Sequence, residues 1–203
     1  MVFFRVPFVI QSFYRNRKWT GDNSKSVYLT FDDGPDGMIT PWLLDILKKE
    51  KIQATFFCVG SQVAKYPSTY KKIVDLGHMV GNHTYNHEKG TKIPADEYMK
   101  SIKMAEKLID SNLFRPPYGR MTKKQERLVL KSKKKIIMWS WISHDFNENV
   151  NANTIIKKAV KIKGGDILLF HNNLKSKKIM MSSLPEVINI IRDKGLTFNS
   201  LTT

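Results

Sequence analysis

Cysteine is nearly absent from the 203 residues: Cys58 stands alone, which excludes an intrachain disulfide and any cysteine-built metal cluster. Acidic residues are scarce too, with 18 Asp and Glu against 34 Lys and Arg and a formal charge of +16. That imbalance admits acidic partners such as nucleic acid, anionic lipid or an acidic polymer, although solvated lysines on helix surfaces produce the same excess. No uncharged stretch approaches the length of a membrane span. Residues 2–10 are apolar, but Arg5 and Pro7 interrupt them and no small-residue cleavage site follows. The segment is therefore a poor signal peptide and is expected to pack on the domain. Internal repeats, low-complexity tracts and Pro/Gly/Ser linkers are missing as well. What remains, 41% hydrophobic and 26% charged, is ordinary globular composition at a length that suits one domain. Such a chain buries a sizeable core without disulfides, and the compartment stays open between cytoplasm and cell envelope.

The apolar pattern alternates short strands with amphipathic helices. Strands are expected at 27–31, 54–59, 79–82, 113–115, 136–141, 166–170 and 197–201. Between them, Thr40-Pro41 reads as an N-cap with proline at the first helical position, and Thr122 with Gln125 as a capping box. Ile39, Trp42, Leu43, Ile46 and Leu47 share one helical face; Tyr98, Ile102, Ala105, Leu108 and Ile109 share another. Further helices are expected at 68–76, around Ile155 and Ala159, and around Leu184 to Ile191. Seven strands in alternation with helices predict a parallel sheet, either a barrel or an open doubly wound sheet.

The unusual polar residues gather just after the strands: Asp32 and Asp33, then His83 and His87, Arg115, Asp145 and His171. In parallel architectures those ends share one face, where ligands bind. Adjacent residues on an extended chain point in opposite directions, so Asp32 and Asp33 can serve different ends. His83 and His87 are four apart, a spacing that presents two imidazoles to one first-row metal. Two histidines and one carboxylate leave coordination positions open, as a catalytic metal requires.

In order, Thr30-Phe31-Asp32-Asp33-Gly34-Pro35, His83-Thr84-Tyr85-Asn86-His87, Arg115-Pro116-Pro117-Tyr118-Gly119 and Leu168-Leu169-Phe170-His171 resemble the polysaccharide deacetylase family. This is carbohydrate esterase family four, the NodB-homology domain. The resemblance divides the chain into a leading segment, 1–26, and a domain, 27–203. It implies an α/β fold, a distorted (β/α) barrel of about seven parallel strands. It implies one divalent metal held by Asp33, His83 and His87, most often zinc, with cobalt or nickel as alternatives. Asp32 would be the general base, oriented by Arg115. His171 would be the general acid, steadied by Asp145. Tyr118 would offer its backbone N–H to the oxyanion, and Phe146 and Leu169 would shape the acetyl pocket. The fourth family motif, Asp-x-x-Asp-Trp, is altered to Ile142-Ser143-His144-Asp145-Phe146, and Asn172 follows His171 where the family often has Asp.

The implied reaction is metal-dependent removal of N-acetyl groups from an amino-sugar polymer or oligosaccharide, of peptidoglycan or chitin type, by a monomer. O-acetyl ester hydrolysis on xylan-type polymers is the neighbouring activity. A sugar-binding relative with little catalysis would not need Asp32, Arg115 and His171 together. Specific nucleic-acid binding is not expected, because no recognition motif accompanies the basic run Lys131-Ser132-Lys133-Lys134-Lys135.

Overall fold

The computed structural model describes residues 3–202. Strand β2 (Ser26–Asp32) is buried along its whole length. It reads as a continuous run because it is paired on both sides and covered on both faces. On one side lie β3 (Thr55–Cys58), β4 (Met79–Asn82), β5 (Leu113–Phe114), β6 (Lys135–Ile137) and finally β1 (Arg17–Lys18). On the other lie β8 (Ile167–His171) and β7 (Trp141–Ile142), and β9 (Thr197–Phe198) pairs with the start of β2. Every pairing in this nine-stranded sheet is parallel. The sheet curls into the distorted α/β barrel; of its two strands beyond the expected seven, β1 lies in the leading segment, where none was expected, and the other comes from a split.

The apolar run at 136–141, expected as one strand, is split. β6 pairs with β5 and β1 at one end of the sheet, whereas β7 pairs with β8 at the other. Residues 138–140 cross from one end to the other and form the seam that closes the barrel. Met138 N–H donates to the Lys18 carbonyl at 2.7 Å and Ser140 N–H to the Ile167 carbonyl at 3.1 Å. The Arg115 guanidinium donates to the carbonyls of Ile137 and Met138, which face across the seam. Trp141 enters the core while Trp139 is half-buried beside the cleft described below.

Strand alternation sorts the interior. Leu29 and Phe31 face the helices with Phe56 and Leu168, in one core with Leu43 of α2 (Ile39–Lys49) and Leu184 of α8 (Lys177–Asp193). Tyr28 faces the opposite way, with Phe57, Leu113, Ile137 and Ile167 inside the barrel. Thr30 and Asp32 share the parity of Tyr28, Arg115 that of Leu113, and His171 that of Ile167. A second apolar cluster lies beneath α5 (Ala95–Glu106) and α6 (Lys123–Lys131), built on Tyr98, Ile102, Phe114 and Val129.

Local signals succeeded unevenly. The Thr122–Gln125 capping box forms in both directions. Thr40 is not an N-cap: α2 starts at Ile39, and the Asp36 carboxylate accepts from the N–H groups of Met38 and Ile39 instead. β3 ends at Cys58, and after Val59 a short helix, α3 (Gly60–Lys65), begins and leads to α4 (Pro67–Asp75). Leu108 lies beyond the end of α5 and is exposed. The remaining helices are α1 (Phe8–Phe13) and α7 (Ala152–Ala159).

Candidate active site

Asp32 ends β2 with its side chain inside the barrel mouth, 3% exposed. Its Oδ1 accepts from Arg115 Nη1 at 2.7 Å. Arg115 is fully buried, and burial pulls its pKa down while the Asp32 charge and hydrogen bond oppose the fall. Besides the two seam carbonyls it donates to Thr30 Oγ1 at 2.8 Å, and its plane lies 4.0 Å over the Phe57 ring. A guanidinium with four of its five N–H donors engaged is held in place, and it fixes which oxygen of Asp32 stays free.

Simple alternation would send Asp33 to the outer face. Its φ of 78° breaks the strand and swings the carboxylate back into the same mouth. Asp33 Oδ1 lies 3.1 Å from His87 Nε2 and 3.6 Å from His83 Nε2. The other oxygen, Oδ2, accepts from Asn173 Nδ2 at 2.6 Å. Burial would raise the Asp33 pKa, but its contacts with His83 and His87 and the nearby His171 hold it well below the carboxylate range. His83 Nδ1 donates to the Arg115 carbonyl at 2.7 Å, which turns Nε2 towards Asp33. Thr84 and His87 both have left-handed φ values, which curl the loop and bring the two rings 5.0 Å apart.

This is a coherent ligand set. One atom each from Asp33, His83 and His87 lie within 4.8 Å of one another. Asp33 Oδ1 is buried with no hydrogen-bond donor, an arrangement that costs free energy unless a cation meets it. Three donors of nitrogen and oxygen type with open positions fit a divalent metal.

His171 stands at the end of β8, beside Asp32 in register. Asp145, fully buried, accepts from His171 N–H at 2.9 Å through Oδ2 and meets His171 Nδ1 at 2.7 Å through Oδ1. Burial would lower the imidazole pKa, yet the Asp145 charge and hydrogen bond, with Asp33 and Asp32 behind it, raise it to about 9. Phe146 packs edge-on against the His171 ring at 4.8 Å. Ile142 and Leu169 wall the same cleft, which measures about 570 Å³. Tyr118 is exposed at its edge, with its ring 4.7 Å from His87. Its φ of 59° is left-handed, as is that of Gly119, where a side chain would also strike Trp139 at 2.8 Å.

All ten sequence-predicted residues thus converge on one mouth. Asn173, Thr30 and the cleft-lining cations Lys89, Arg120 and Lys175 were not anticipated. Asn173 had one visible signal, its place two residues after His171; Thr30 opens the first family motif, but nothing there marked its hydroxyl as a partner of Arg115.

Two fixed carboxylates, a paired imidazole and an Asp-His-His cluster at the carboxyl ends of parallel strands define a metal-dependent hydrolase of the α/β barrel class. The family model described as polysaccharide deacetylase matches residues 20–135, and the chain belongs to that family. A peptidoglycan-N-acetylglucosamine deacetylase of Bacillus cereus is 33% identical over 187 residues, covering 88% of this chain and 68% of its own. The crystal structure of the Bc1960 peptidoglycan N-acetylglucosamine deacetylase superposes with a TM-score of 0.88 at 32% identity, covering 97% of this chain and 95% of the other. A family pseudoenzyme from Bacillus anthracis, BA3943, also superposes, at TM-score 0.77 and 25% identity, over 90% of this chain and 66% of the other. The barrel therefore does not by itself certify catalysis; the side chains in its mouth decide.

Proposed function

We propose that this chain hydrolyses the N-acetyl amide of an amino-sugar polymer of the peptidoglycan type. The observation that carries this reading is the pair of fixed acid–base groups. Asp32 is held from the β5 side by Arg115 and His171 from the β7 side by Asp145, with the Asp33, His83 and His87 cluster beside them. Sugar binding alone has no use for that expense of buried charge.

Asp33, His83 and His87 would hold the metal, and the nitrogen–oxygen donor set suits zinc, with cobalt and nickel as alternatives. When bound, such an ion polarises the acetyl carbonyl and makes water a usable nucleophile near neutral pH. The free oxygen of Asp32 takes the proton from the attacking water. The backbone N–H of Tyr118 is available to the oxyanion. His171 gives its proton from Nε2 to the departing amine, because Nδ1 is committed to Asp145. Ile142, Leu169 and Phe146 offer the acetyl methyl an apolar wall.

Lys89, Arg120 and Lys175 line the same cleft. A basic mouth favours a polymer that carries carboxylates, as peptidoglycan does, over neutral chitin or xylan. The discriminating measurement is acetate release from peptidoglycan, chitin oligomers and acetylated xylan, with wild type and Asp32→Asn. Release from peptidoglycan, falling at least a hundredfold in Asp32→Asn at unchanged metal content, is the expected result. Equal release from acetylated xylan would favour the esterase reading, and no release at all with metal bound would favour a binding protein.

A further inference from the structure

Helix α1 is built inside out. Phe8 is 79% exposed, Val9 64% and Phe13 80%, with Ile10 and Tyr14 also on the surface, and no residue of the helix is buried. The partly shielded residues are the polar ones, Gln11 and Ser12, and Gln11 Nε2 donates to the Val6 carbonyl. A helix on a water-facing surface normally shows the reverse arrangement. Five large apolar side chains lie exposed within seven residues, a concentration and not scattered singles.

The position of α1 follows from chain direction. Residues 4–6 run antiparallel to β7: Ile142 N–H donates to the Phe4 carbonyl, Val6 N–H donates to the Ser140 carbonyl, and Arg5 bridges Trp141. The chain then reverses and enters β1, which is parallel to β6. The reversal, and α1 with it, must lie at the amino ends of the strands. The catalytic mouth lies at their carboxyl ends. The patch and the cleft are therefore on opposite poles of the barrel.

The same pole carries positive charge. Exposed Lys133 and Lys135 lead into β6, and exposed Lys161 and Lys163 into β8. Arg15 is exposed directly after α1, and the Arg5 guanidinium contacts the Lys161 carbonyl. Apolar and aromatic side chains on the same pole as exposed lysines match the acyl boundary and headgroups of an anionic bilayer. We propose that α1 docks this domain on an anionic lipid surface, with the catalytic mouth turned away from it. A second copy of the chain fits the patch poorly. A six-residue helix is only about 9 Å long, far short of a stable dimer's roughly 800 Å² per partner. Two copies would also bring +16 against +16. The inference does not depend on the deacetylase reading.

The test is co-sedimentation of the full chain with phosphatidylcholine vesicles, with and without phosphatidylglycerol, for wild type, the double variant Phe8→Ser/Phe13→Ser and the double variant Lys161→Gln/Lys163→Gln. Wild type is expected to sediment with the anionic vesicles and to be released by salt. Both double variants should bind at least about tenfold more weakly, while acetate release from a small soluble substrate stays unchanged. Failure of wild type to bind anionic vesicles, or equal binding by the Phe8→Ser/Phe13→Ser variant, overturns the proposal. So does a concentration-dependent dimer in analytical ultracentrifugation that the same variant abolishes, which would identify the occupant as a second copy. Loss of acetate release with vesicle binding intact would count against the catalytic reading alone.

Discussion

Asn173 connects two parts of the site with one side chain. Its Oδ1 accepts from Ser176 N–H at 3.0 Å, so its Nδ2 is the group left to face Asp33. That donor occupies Asp33 Oδ2 and directs Oδ1 towards the two histidines. Asn173→Ala is expected to weaken zinc affinity about 10- to 100-fold, read by calorimetric titration of metal-free protein. Unchanged affinity would mean that Asp33 is oriented without it. The His171–Asp145 pair makes a second expectation. In its proposed role His171 works only while protonated, so activity should fall as pH rises towards the His171 value of about 9. A cation at Asp33 opposes that elevated pKa and moves the limb lower. Asp145→Asn removes the charge that outweighs burial, so the alkaline limb should shift down by about one unit or more while metal content holds. A limb that stays in place would show that Asp145 does not tune the acid. The gathering of these side chains was largely legible in the sequence, because charged residues at strand ends have few structural reasons to be there. Asn173 and Thr30 were not, because an amide in a loop and a hydroxyl in a strand are ordinary in any protein.

At the level of elements, legibility depended on whether the deciding interaction was local. The capping box at Thr122 is closed by its own neighbours, and it formed. The Thr40-Pro41 signal failed because Asp36, four residues earlier, reached the helix first, leaving Thr40 to pair with Asn172. The run at 136–141 looked like one strand because an apolar sequence is the same whether it pairs with one neighbour or crosses between two. His78, just ahead of β4, belongs to this scale as well. It is buried, its Nδ1 accepts from Ala54 N–H at 3.3 Å, and burial lowers its pKa to about 4. The folded state therefore keeps it neutral, whereas the unfolded chain binds a proton below about pH 6.5. Its contribution is full above that pH and is lost as pH falls towards 4. Denaturant titrations at pH 7 and 4.5 should show wild type losing about 2–3 kcal/mol more than His78→Gln. Parallel losses would place the acid sensitivity elsewhere.

At the scale of the whole molecule, the barrel is closed by polar groups where the sheet has no ladder. At the mouth end the closure is Arg115, shared between the seam carbonyls and Asp32. At the opposite end it is Asp166. Asp166 Oδ1 accepts from Ser140 Oγ at 2.7 Å and from Arg5 at 2.8 Å; Oδ2 accepts from Arg5 at 2.6 Å and from Lys163 N–H at 2.7 Å. One buried carboxylate thus joins the leading segment, the seam and the entry to β8. Arg5 is about a third exposed, so part of its charge returns to water when the partner is lost. The loss for Asp166→Ala should then sit near the lower end for a broken buried pair, about 3 kcal/mol. For a domain of this size that lowers Tm by roughly 10 °C. Zinc affinity should stay within about twofold, because the seam is severed at the pole away from Asp33, His83 and His87 and distant sites act independently. Calorimetric melting of the metal-free protein, paired with a zinc titration, checks both halves. A Tm within about 2 °C of wild type would show that Asp166 contributes little to closing the barrel. A fall in zinc affinity matching the fall in Tm would show that the two poles are coupled through the seam.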